Sequence, residues 1–522
     1  MSGLSGILPT LPLSTWLFAV LPVCFVGYWS LWIVYTRTLH PLASVPGPFW
    51  ASITRLWYMY RIYVGDMHHV QRALHEKYGP VVRIAPNEVS TAELSAIPKI
   101  YKHQKPLIKT DFYSVWGGGE ISKRLDLFAE PDEKLHSSYR RIVNPVYTLA
   151  NVLKSESYIN NVSSLFIQRL GEHADRKEPI DLGQWLQMYA FDVIGEIFFG
   201  GMFGFLEHSE DHGAYIESLD AIMPVLCVSA IGPSYLRPLI MSSAIILPAA
   251  LKAVKAIAGI KKAADEATEK RLQEIQAGKV SRADMLQQIF DIVHEKGEKL
   301  DFTERDATME AYVAMFAGSD TTAIAFRATF YYLMRNPGKL KEAQAEIDAA
   351  LAAGSLSSPI KYSETTTKLP YICACIKEAM RMHPSVGLSM QRYAPEEGVQ
   401  TAGKFIPKGY RIGLNPAVVH YDKEVFGQDA DEFRPERWLV SEEEWKAMDK
   451  NLLVFGAGTR ICVGKNVGTA LAVFLLTLAN DRRSLWWSYT HSFLKSFAIS
   501  TWRWHTTGLG PHVTGGSTSR LI

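Results

Sequence analysis

The chain has 522 residues, of which 48% are hydrophobic and 21% charged. This length and composition allow a large packed core and exclude a chain that is disordered throughout. Basic residues outnumber acidic ones by only two, 55 against 53, so the sequence lacks the strongly basic field of a nucleic-acid-binding protein and predicts no nucleic-acid partner. Its five cysteines show no spacing typical of a secreted disulfide scaffold, which indicates a reducing compartment.

An apolar segment near the amino terminus predicts a transmembrane anchor. Residues 14–35 carry no charge, and as a helix they would extend about 33 Å, enough to cross a bilayer core. Tyr28, Trp29, Trp32 and Tyr35 crowd the far end, where interfacial aromatic residues are common. A cleaved secretory signal is the alternative, but the run is long, and it has neither a basic segment before it nor a small-residue cleavage site after it.

Basic residues after the span predict its orientation. Arg37, His40, Arg55 and Arg61 follow it, whereas residues 1–13, the predicted lumenal segment, carry no charged side chain. Since basic residues concentrate on the cytoplasmic side of membrane helices, we expect the large carboxyl-terminal part to lie in the cytosol.

The remaining patterns predict one mainly helical domain with a minor sheet, over residues 49–480. Prolines within residues 36–48 predict a short stiff hinge before it. Residues 77–90 alternate after a turn, which indicates a pair of strands, and short alternating runs return within residues 392–438. No internal repeat divides the sequence.

Two helical regions stand out within this domain. Residues 221–260 are unusually apolar and contain four prolines. Two interpretations remain open: buried core helices, or a loop with short helices that dips into the membrane. Residues 304–334 contain no proline and predict one long helix.

A glycine-rich loop with one cysteine is the most specific segment. Residues 455–464 read FGAGTRICVG and precede an apolar helical run over 467–479. The loop has neither the Lys-Ser/Thr ending of a phosphate-binding loop nor the third glycine of a dinucleotide-binding turn. It places Cys462 near a helix amino terminus, where backbone N–H groups and the helix dipole favour the thiolate. A buried cysteine in a glycine turn is the alternative.

Phe455, Gly458, Arg460, Cys462 and Gly464 resemble the haem-binding loop of cytochrome P450 monooxygenases. The resemblance implies haem b as cofactor and Cys462 as its axial thiolate ligand, which pushes electron density toward O–O cleavage. It also implies that Phe455 and Arg460 contact the haem. The expected fold is a single large P450-type haem domain, mainly α with minor β, behind the transmembrane helix.

A polar stretch in the predicted long helix carries the second motif. Residues 317–322 read AGSDTT, and most of these residue types are poor choices for a helix interior. Ser319 as the N-cap of a new helix is one interpretation. The favoured one is a distortion within a continuous helix, in which the Thr321 hydroxyl competes for the carbonyl of Ala317. The resemblance assigns Asp320 and Thr321 to proton delivery toward bound dioxygen.

Two further segments resemble family motifs with a structural role. Glu378 and Arg381 share a helix face at i and i+3. Alone this pair is a weak signal, because most such pairs are solvated. Residues 435–438 read PERW, and the resemblance joins Glu378, Arg381 and Arg437 in a buried ion network below the haem loop.

Cations are expected around the haem propionates. His136 and Arg140 lie at i and i+4 on one predicted helix face, and the resemblance assigns both, with Arg392 and Arg460, to the propionates. His136 replaces the aromatic residue that is usual in the family. An exposed basic helix face is the alternative for the first two, since further basic residues adjoin them.

The resemblance covers about residues 40–480 and implies the partners. These are a small lipophilic substrate, membrane lipid and an NADPH-dependent flavoprotein reductase. The pocket-lining candidates are residues 113–128, 311–316 and 386–390. The candidate reductase-docking cations are Lys123, Arg124, Lys134, Arg141 and Lys465, for which ordinary solvated charges are the alternative.

Within the family, the sequence is most similar to microsomal members from filamentous fungi that are related to pisatin demethylase. Such members often act in secondary metabolism. This similarity implies a single-pass protein of the endoplasmic reticulum membrane. Two other functions remain open: a P450-fold isomerase or dehydratase, against which Asp320 and Thr321 argue, and a non-catalytic haem-binding pseudoenzyme.

Residues 481–522 depart from the family, which usually continues into a small sheet with a loop that closes the substrate pocket. The segment is rich in Trp, Ser, His and Gly and shows little periodicity. A divergent tail and a faulty gene model both account for it.

Overall fold

The computed structural model describes residues 16–118, 121–242, 248–280 and 282–478. The atypical tail predicted over residues 481–522 and the predicted lumenal segment over residues 1–13 lie outside the described residues.

Helices make up most of the described chain. In the amino-terminal half, the α-helices are Leu21–Thr38, Phe49–Ile53, Leu56–Val64, Met67–Tyr78, Ile97–Ile100, Glu133–Val143, Leu149–Val152, Glu156–Asp175, Leu182–Ile194, Phe205–His208, Tyr215–Ile231 and Arg237–Ser242. In the other half, they are Pro248–Gln276, Met285–Leu300, Glu304–Val313, Ser319–Arg335, Pro337–Ala352, Tyr362–Lys368, Pro370–Met382, Pro416–Val419, Lys423–Phe426, Glu442–Asp449 and Lys465–Leu478. The predicted class, mainly α with minor β, is confirmed.

Six short strands form the minor β part of the described residues. They are β1 (Val81–Ala85), β2 (Glu88–Thr91), β3 (Arg392–Tyr393), β4 (Val399–Thr401), β5 (Lys404–Ile406) and β6 (Arg411–Gly413). One sheet has the order β1-β2-β6-β3, and β4 pairs with β5 in a hairpin. β1 and β2 are antiparallel, with Val82 opposite Ser90, which confirms the strand pair predicted over residues 77–90.

One helical unit, which we call the central helix, runs from Glu304 to Arg335 through the main hydrophobic core. Its two α-helical parts are joined without a break by a π-helical turn over Ala314–Gly318. The prediction of one long helix with a local distortion is therefore confirmed, and the interpretation of Ser319 as the start of a separate helix is wrong. A π turn opens the backbone at this point because its hydrogen bonds span one extra residue.

The apolar region over residues 221–260 is divided between the core and the surface. Leu226 and Ile231, on the first of its helices, are buried in the domain. Tyr235 and Leu239, which follow that helix, are strongly exposed. The prediction of buried core helices therefore holds for the first helix. For the segment after it, which has exposed apolar side chains, the alternative of contact with the membrane stays a prediction.

The amino-terminal helix has the properties expected of an anchor. A π turn over Trp16–Val20 leads into the α-helix Leu21–Thr38, which we call the anchor helix. Residues 18–38 have a mean hydropathy of 1.8 and form the one described helix long and apolar enough to cross a membrane. The boundaries assigned to anchor, hinge and domain remain predictions.

Candidate haem and oxygen-activation site

The cysteine loop is closed by its own backbone. The N–H of Cys462 donates to the carbonyl of Phe455 at 2.8 Å. Gly456 and Gly458 both adopt positive φ, 73° and 69°, and a Cβ on Gly458 would overlap the carbonyl oxygen of Tyr101. The loop therefore requires glycine at this position for conformation and for close approach.

The thiol of Cys462 is accessible yet surrounded by protein. Its side chain is exposed, but burial raises its pKa, and the N–H groups of Gly464 and Lys465 and the charge of Arg140 only partly oppose this. A ligand can therefore reach the thiol although protein surrounds most of it. The helix end lowers the pKa of the thiol, as predicted, but by less than desolvation raises it. Coordination to a metal cation would supply the positive charge that stabilises a thiolate here.

A neighbouring helix brings basic residues to this loop. The helix Glu133–Val143 begins at Asp132, whose carboxylate accepts the N–H groups of Lys134 and Leu135. Arg140 donates to the carbonyl of Ile461, the residue before the cysteine. His136, on the same helix face, is buried, which excludes the alternative of an exposed basic face at this position.

The other two predicted cations are fixed by different contacts. Arg392 is buried and lies 5.2 Å from the ring centroids of both Tyr101 and Tyr113, and it donates to the Tyr113 hydroxyl at 2.6 Å. Arg460 pairs with Glu133 at 2.8 Å. Part of the charge of Arg460 is therefore already neutralised within the protein.

A fifth basic residue that the sequence patterns missed joins this group. Lys109 is buried, donates to the carbonyl of Phe128 at 2.6 Å and forms a β-bridge with Arg392. No local pattern distinguishes Lys109, because only the bridge between residues nearly three hundred positions apart brings it here.

The positive charges of Lys109, Arg140, Arg392 and Arg460 act on one another and on His136. Their effect on the pKa of His136 shows whether these residues fit a haem. Burial, followed by the charges of Arg460, Lys109, Arg140 and Arg392, lowers the pKa of His136 to about 3. Its Nδ1 has no hydrogen-bond partner among the described residues. An excess of desolvated positive charge is what two carboxylates would neutralise, so the residues present fit a haem with its two propionates.

The predicted acid and alcohol, Asp320 and Thr321, lie directly after the π turn, in the first turn of the α-helix Ser319–Arg335. The Thr321 hydroxyl donates to the carbonyl of Ala317 at 2.8 Å, as the sequence predicted. Ser385, which the sequence patterns missed, donates to the carbonyl of Thr321 at 2.8 Å. Ala317 is exposed although the helix is central, so this turn also faces internal space.

Asp320 is a buried carboxyl group with incomplete hydrogen bonding. Its Oδ1 has no hydrogen-bond partner in the described part of the chain. Burial raises its pKa, and the charge of Arg327 opposes the shift. Arg327 is held in place by the carbonyl of Gly183 at 2.9 Å and by Gln187. Asp320 therefore retains a proton more readily than an exposed aspartate does.

The predicted ion network is present and fully buried. Arg381 donates to both carboxylate oxygens of Glu378 at 2.8 Å, and Arg437 Nε lies 3.3 Å from Oε1 of the same carboxylate. Trp438 Nε1 adds a donor at 2.9 Å, a role not predicted from the sequence. The network predicted for Glu378, Arg381 and Arg437 is thus confirmed.

One histidine connects this network to the cysteine loop. Arg381 donates to the carbonyl of His420 at 2.6 Å, and His420 Nδ1 lies 2.9 Å from the carbonyl of Arg381. The N–H of Leu453 donates to His420 Nε2 at 2.8 Å, and the carbonyl of Leu453 accepts from Gly456. Since Nε2 accepts, Nδ1 carries the proton, and the neutral ring links the network to the loop.

This neutral histidine predicts a pH dependence of stability. Burial lowers the pKa of His420 from 6.5 to about 3, so below pH 6.5 the unfolded chain binds a proton that the folded chain does not. The contribution of His420 to the free energy of unfolding is therefore constant above that pH and falls as pH decreases toward 3, by about 1.4 kcal/mol per pH unit. Urea unfolding of wild type and His420→Gln at several pH values measures the slope. Parallel slopes would contradict the assignment.

Comparison with known proteins agrees with this geometry. The sequence model of the Cytochrome P450 family matches residues 45–478. The chain is 45% identical to cytochrome P450 monooxygenase gsfF of Penicillium aethiopicum over 447 residues, 85% of this chain and 88% of the relative. It is 43% identical to cytochrome P450 monooxygenase ACRTS1 of Alternaria alternata over 63% of this chain and 88% of the relative. A pisatin demethylase of Fusarium vanettenii is 32% identical over 86% of each chain. The chain therefore belongs to the cytochrome P450 family and is a haem-dependent monooxygenase.

Proposed function

We propose that this monooxygenase is anchored in the endoplasmic reticulum membrane, faces the cytosol and oxidises a small lipophilic secondary metabolite with electrons from NADPH. The anchor helix supports the membrane location. The observation that carries the haem chemistry is the contact of Arg140 with Ile461, which joins the cysteine loop to the helix that bears His136. It brings a thiol ligand and a group of basic side chains together, as a haem requires.

Each predicted cofactor-binding residue has a role in holding the haem. Haem with a thiolate ligand supplies the activation of dioxygen when it is bound. Cys462 would supply the thiolate that holds the haem iron, and Phe455 closes the loop that presents it. His136, Arg140, Arg392 and Arg460, together with Lys109, would bind the propionates.

The proton-handling residues in this proposal are Asp320 and Thr321. Asp320 holds a proton because burial favours its neutral form. The Thr321 hydroxyl is fixed by the carbonyl of Ala317 at the opened turn. The acid supplies a proton, and the alcohol orients it toward the reacting oxygen.

Replacing the acid tests this function. Asp320→Asn keeps the shape of the side chain and removes its titratable proton, so we expect product formation to fall about a hundredfold while more of the consumed NADPH yields hydrogen peroxide. The measurement is product and peroxide formed per NADPH in a reconstituted system with reductase. Asp301→Asn is the control, because Asp301 is an exposed carboxylate paired with Arg124 at 2.8 Å. An unchanged product yield per NADPH in the Asp320 variant would contradict the assigned role.

The requirement for a reductase separates oxygenation from the other P450-fold activities. An isomerase or dehydratase would act without NADPH and reductase, and a pseudoenzyme would bind haem without forming product. Of the predicted docking cations, Lys123, Lys134, Arg141 and Lys465 are exposed. Arg124 is ion-paired with Asp301 and is the least suited to a partner's carboxylates.

A lipophilic substrate agrees with the side chains that remain exposed near the site. Phe128 and Val386, from two of the three predicted lining segments, are exposed apolar residues. In the third segment, Met315 and Phe316 are buried in the core, so the adjoining Ala317 is the better lining candidate. Two relatives are named pisatin demethylase, and we propose a plant- or fungus-derived aromatic metabolite as the first substrate class to screen.

A further inference from the structure

The cytosolic end of the anchor helix is part of the folded domain. Thr36 is fully buried, whereas Leu31 and Val34 on the same helix are exposed. Trp32 Nε1 donates to the carbonyl of Ile53 at 2.9 Å, which ties the anchor helix to the first helix of the domain. The anchor helix therefore emerges from the domain at a defined place.

Arg83 on strand β1 binds the end of this helix. Its side chain is 1% exposed, and its NH1 donates to the carbonyl of Thr36 at 2.8 Å. Its NH2 donates to the carbonyl of Pro86 at 2.8 Å and to His40 Nδ1 at 3.1 Å. Among the described residues, no carboxylate pairs with the Arg83 guanidinium. The partners of this buried charge are instead carbonyl groups and the ring nitrogen of His40. The carbonyl of Thr36 lies at the negative end of a helix dipole, where a helix leaves carbonyls unsatisfied.

The histidine in this cluster is held neutral. Burial and the charge of Arg83 lower the pKa of His40 to about 4. His40 Nδ1 also accepts the N–H of Leu42 at 3.0 Å, so it is an acceptor toward both partners. The ring of His40 packs edge-on between those of Tyr35 and Tyr410, at 5.6 and 5.5 Å. The cluster is thus packed on each side as well as hydrogen-bonded.

The proline-rich hinge is bound along its length. The N–H of Arg83 donates to the carbonyl of Pro46 at 2.7 Å, and Lys404 Nζ donates to the carbonyl of Ser44 at 2.8 Å. Leu42 and Val45 are buried in the core of the small sheet. A Cβ on Gly47 would overlap the carbonyl oxygen of Arg83. The hinge is therefore a docked strap and not a free tether.

An exposed aromatic face adjoins the docked end. Leu56, Tyr60 and Tyr63 lie at i, i+4 and i+7 on one helix and are 57 to 65% exposed, while Tyr58 and Ile62 on its other face are buried. The preceding helix adds the exposed Phe49 and Trp50, and Arg37 of the anchor helix lies 6.0 Å from the Phe49 ring centroid. Tyr and Trp favour the membrane–water interface, and this face is continuous with a membrane helix.

We propose that Arg83 latches the anchor helix to the catalytic domain, so that the face formed by Phe49, Trp50, Leu56, Tyr60 and Tyr63 rests on the lipid interface in one fixed orientation. This inference rests on the proposed membrane anchoring. It adds a specific lipid-contacting surface and the residue that holds it in place.

Proteolysis of the full-length protein in phospholipid vesicles tests the latch. Arg83→Gln loses charge-assisted hydrogen bonds to the anchor, so proteinase K should cleave residues 39–48 and release the domain about tenfold faster than in wild type. Arg271→Gln is the matched control, because Arg271 is also buried but pairs with Asp284 far from the anchor in sequence. Trp32→Phe removes only the bond to Ile53 and should give a smaller acceleration without a folding defect.

Lipid contact is measured on the same samples. Trp50 fluorescence, taken as the difference between wild type and Trp50→Phe, should be quenched by phospholipids brominated near the headgroup, and less so in Arg83→Gln. Equal cleavage of wild type and Arg83→Gln, or no quenching of Trp50 in wild type, would overturn the proposal. A chain that carbonate removes from the vesicles would instead refute the anchoring on which it rests.

Discussion

Replacing Cys462 by serine is expected to abolish thiolate-ligated haem. Serine keeps the size of the side chain but is a far weaker anionic ligand than a thiolate. The loop itself should persist, since its closure depends on the backbone bond from Cys462 to Phe455. We therefore expect the variant to lose the absorbance band that the reduced, CO-treated protein shows only with a thiolate ligand, and to form no product.

Cys375→Ser is the matched control for this experiment. Cys375 is buried in the main hydrophobic core and lies on the helix Pro370–Met382. Its replacement should lower stability modestly and leave the spectrum unchanged. A Cys462→Ser protein with an intact thiolate spectrum or wild-type turnover would refute the assignment of the ligand.

Replacing Glu378 by glutamine is expected to have the largest effect on stability. The change keeps the volume but removes the carboxylate that faces Arg381 and Arg437, all three of which are buried. Because two guanidinium groups would then be buried without their counter-charge, we expect the free energy of unfolding to fall by about 3 to 5 kcal/mol. Urea unfolding of the purified protein, together with its haem content, measures the change.

Glu442→Gln provides the comparison. Glu442 pairs with Lys446 at 2.5 Å, but both side chains are exposed, so the loss should stay within about 1 kcal/mol. If the two variants were equally stable, the buried network would not support the fold as the geometry indicates.

Local sequence predicted those parts of the site that depend on a short stretch of chain. The spacing of Phe455, Gly458 and Cys462 determines the loop because glycine conformation and backbone closure act over a few residues. The AGSDTT stretch likewise determines the distorted turn, because the Thr321 hydroxyl binds a carbonyl four residues earlier. The pair Glu378 and Arg381 is one helical turn apart, so its contact also follows from the sequence.

Only the tertiary structure decided what distant segments do to one another. Lys109 joins the haem cations through a bridge to Arg392, and Ser385 reaches the carbonyl of Thr321 from the end of another helix. Arg83 turns a predicted hinge into a docked strap. The physical reason is that each of these contacts joins residues at least 37 positions apart, while sequence patterns report only which residues share a turn, a face or a strand.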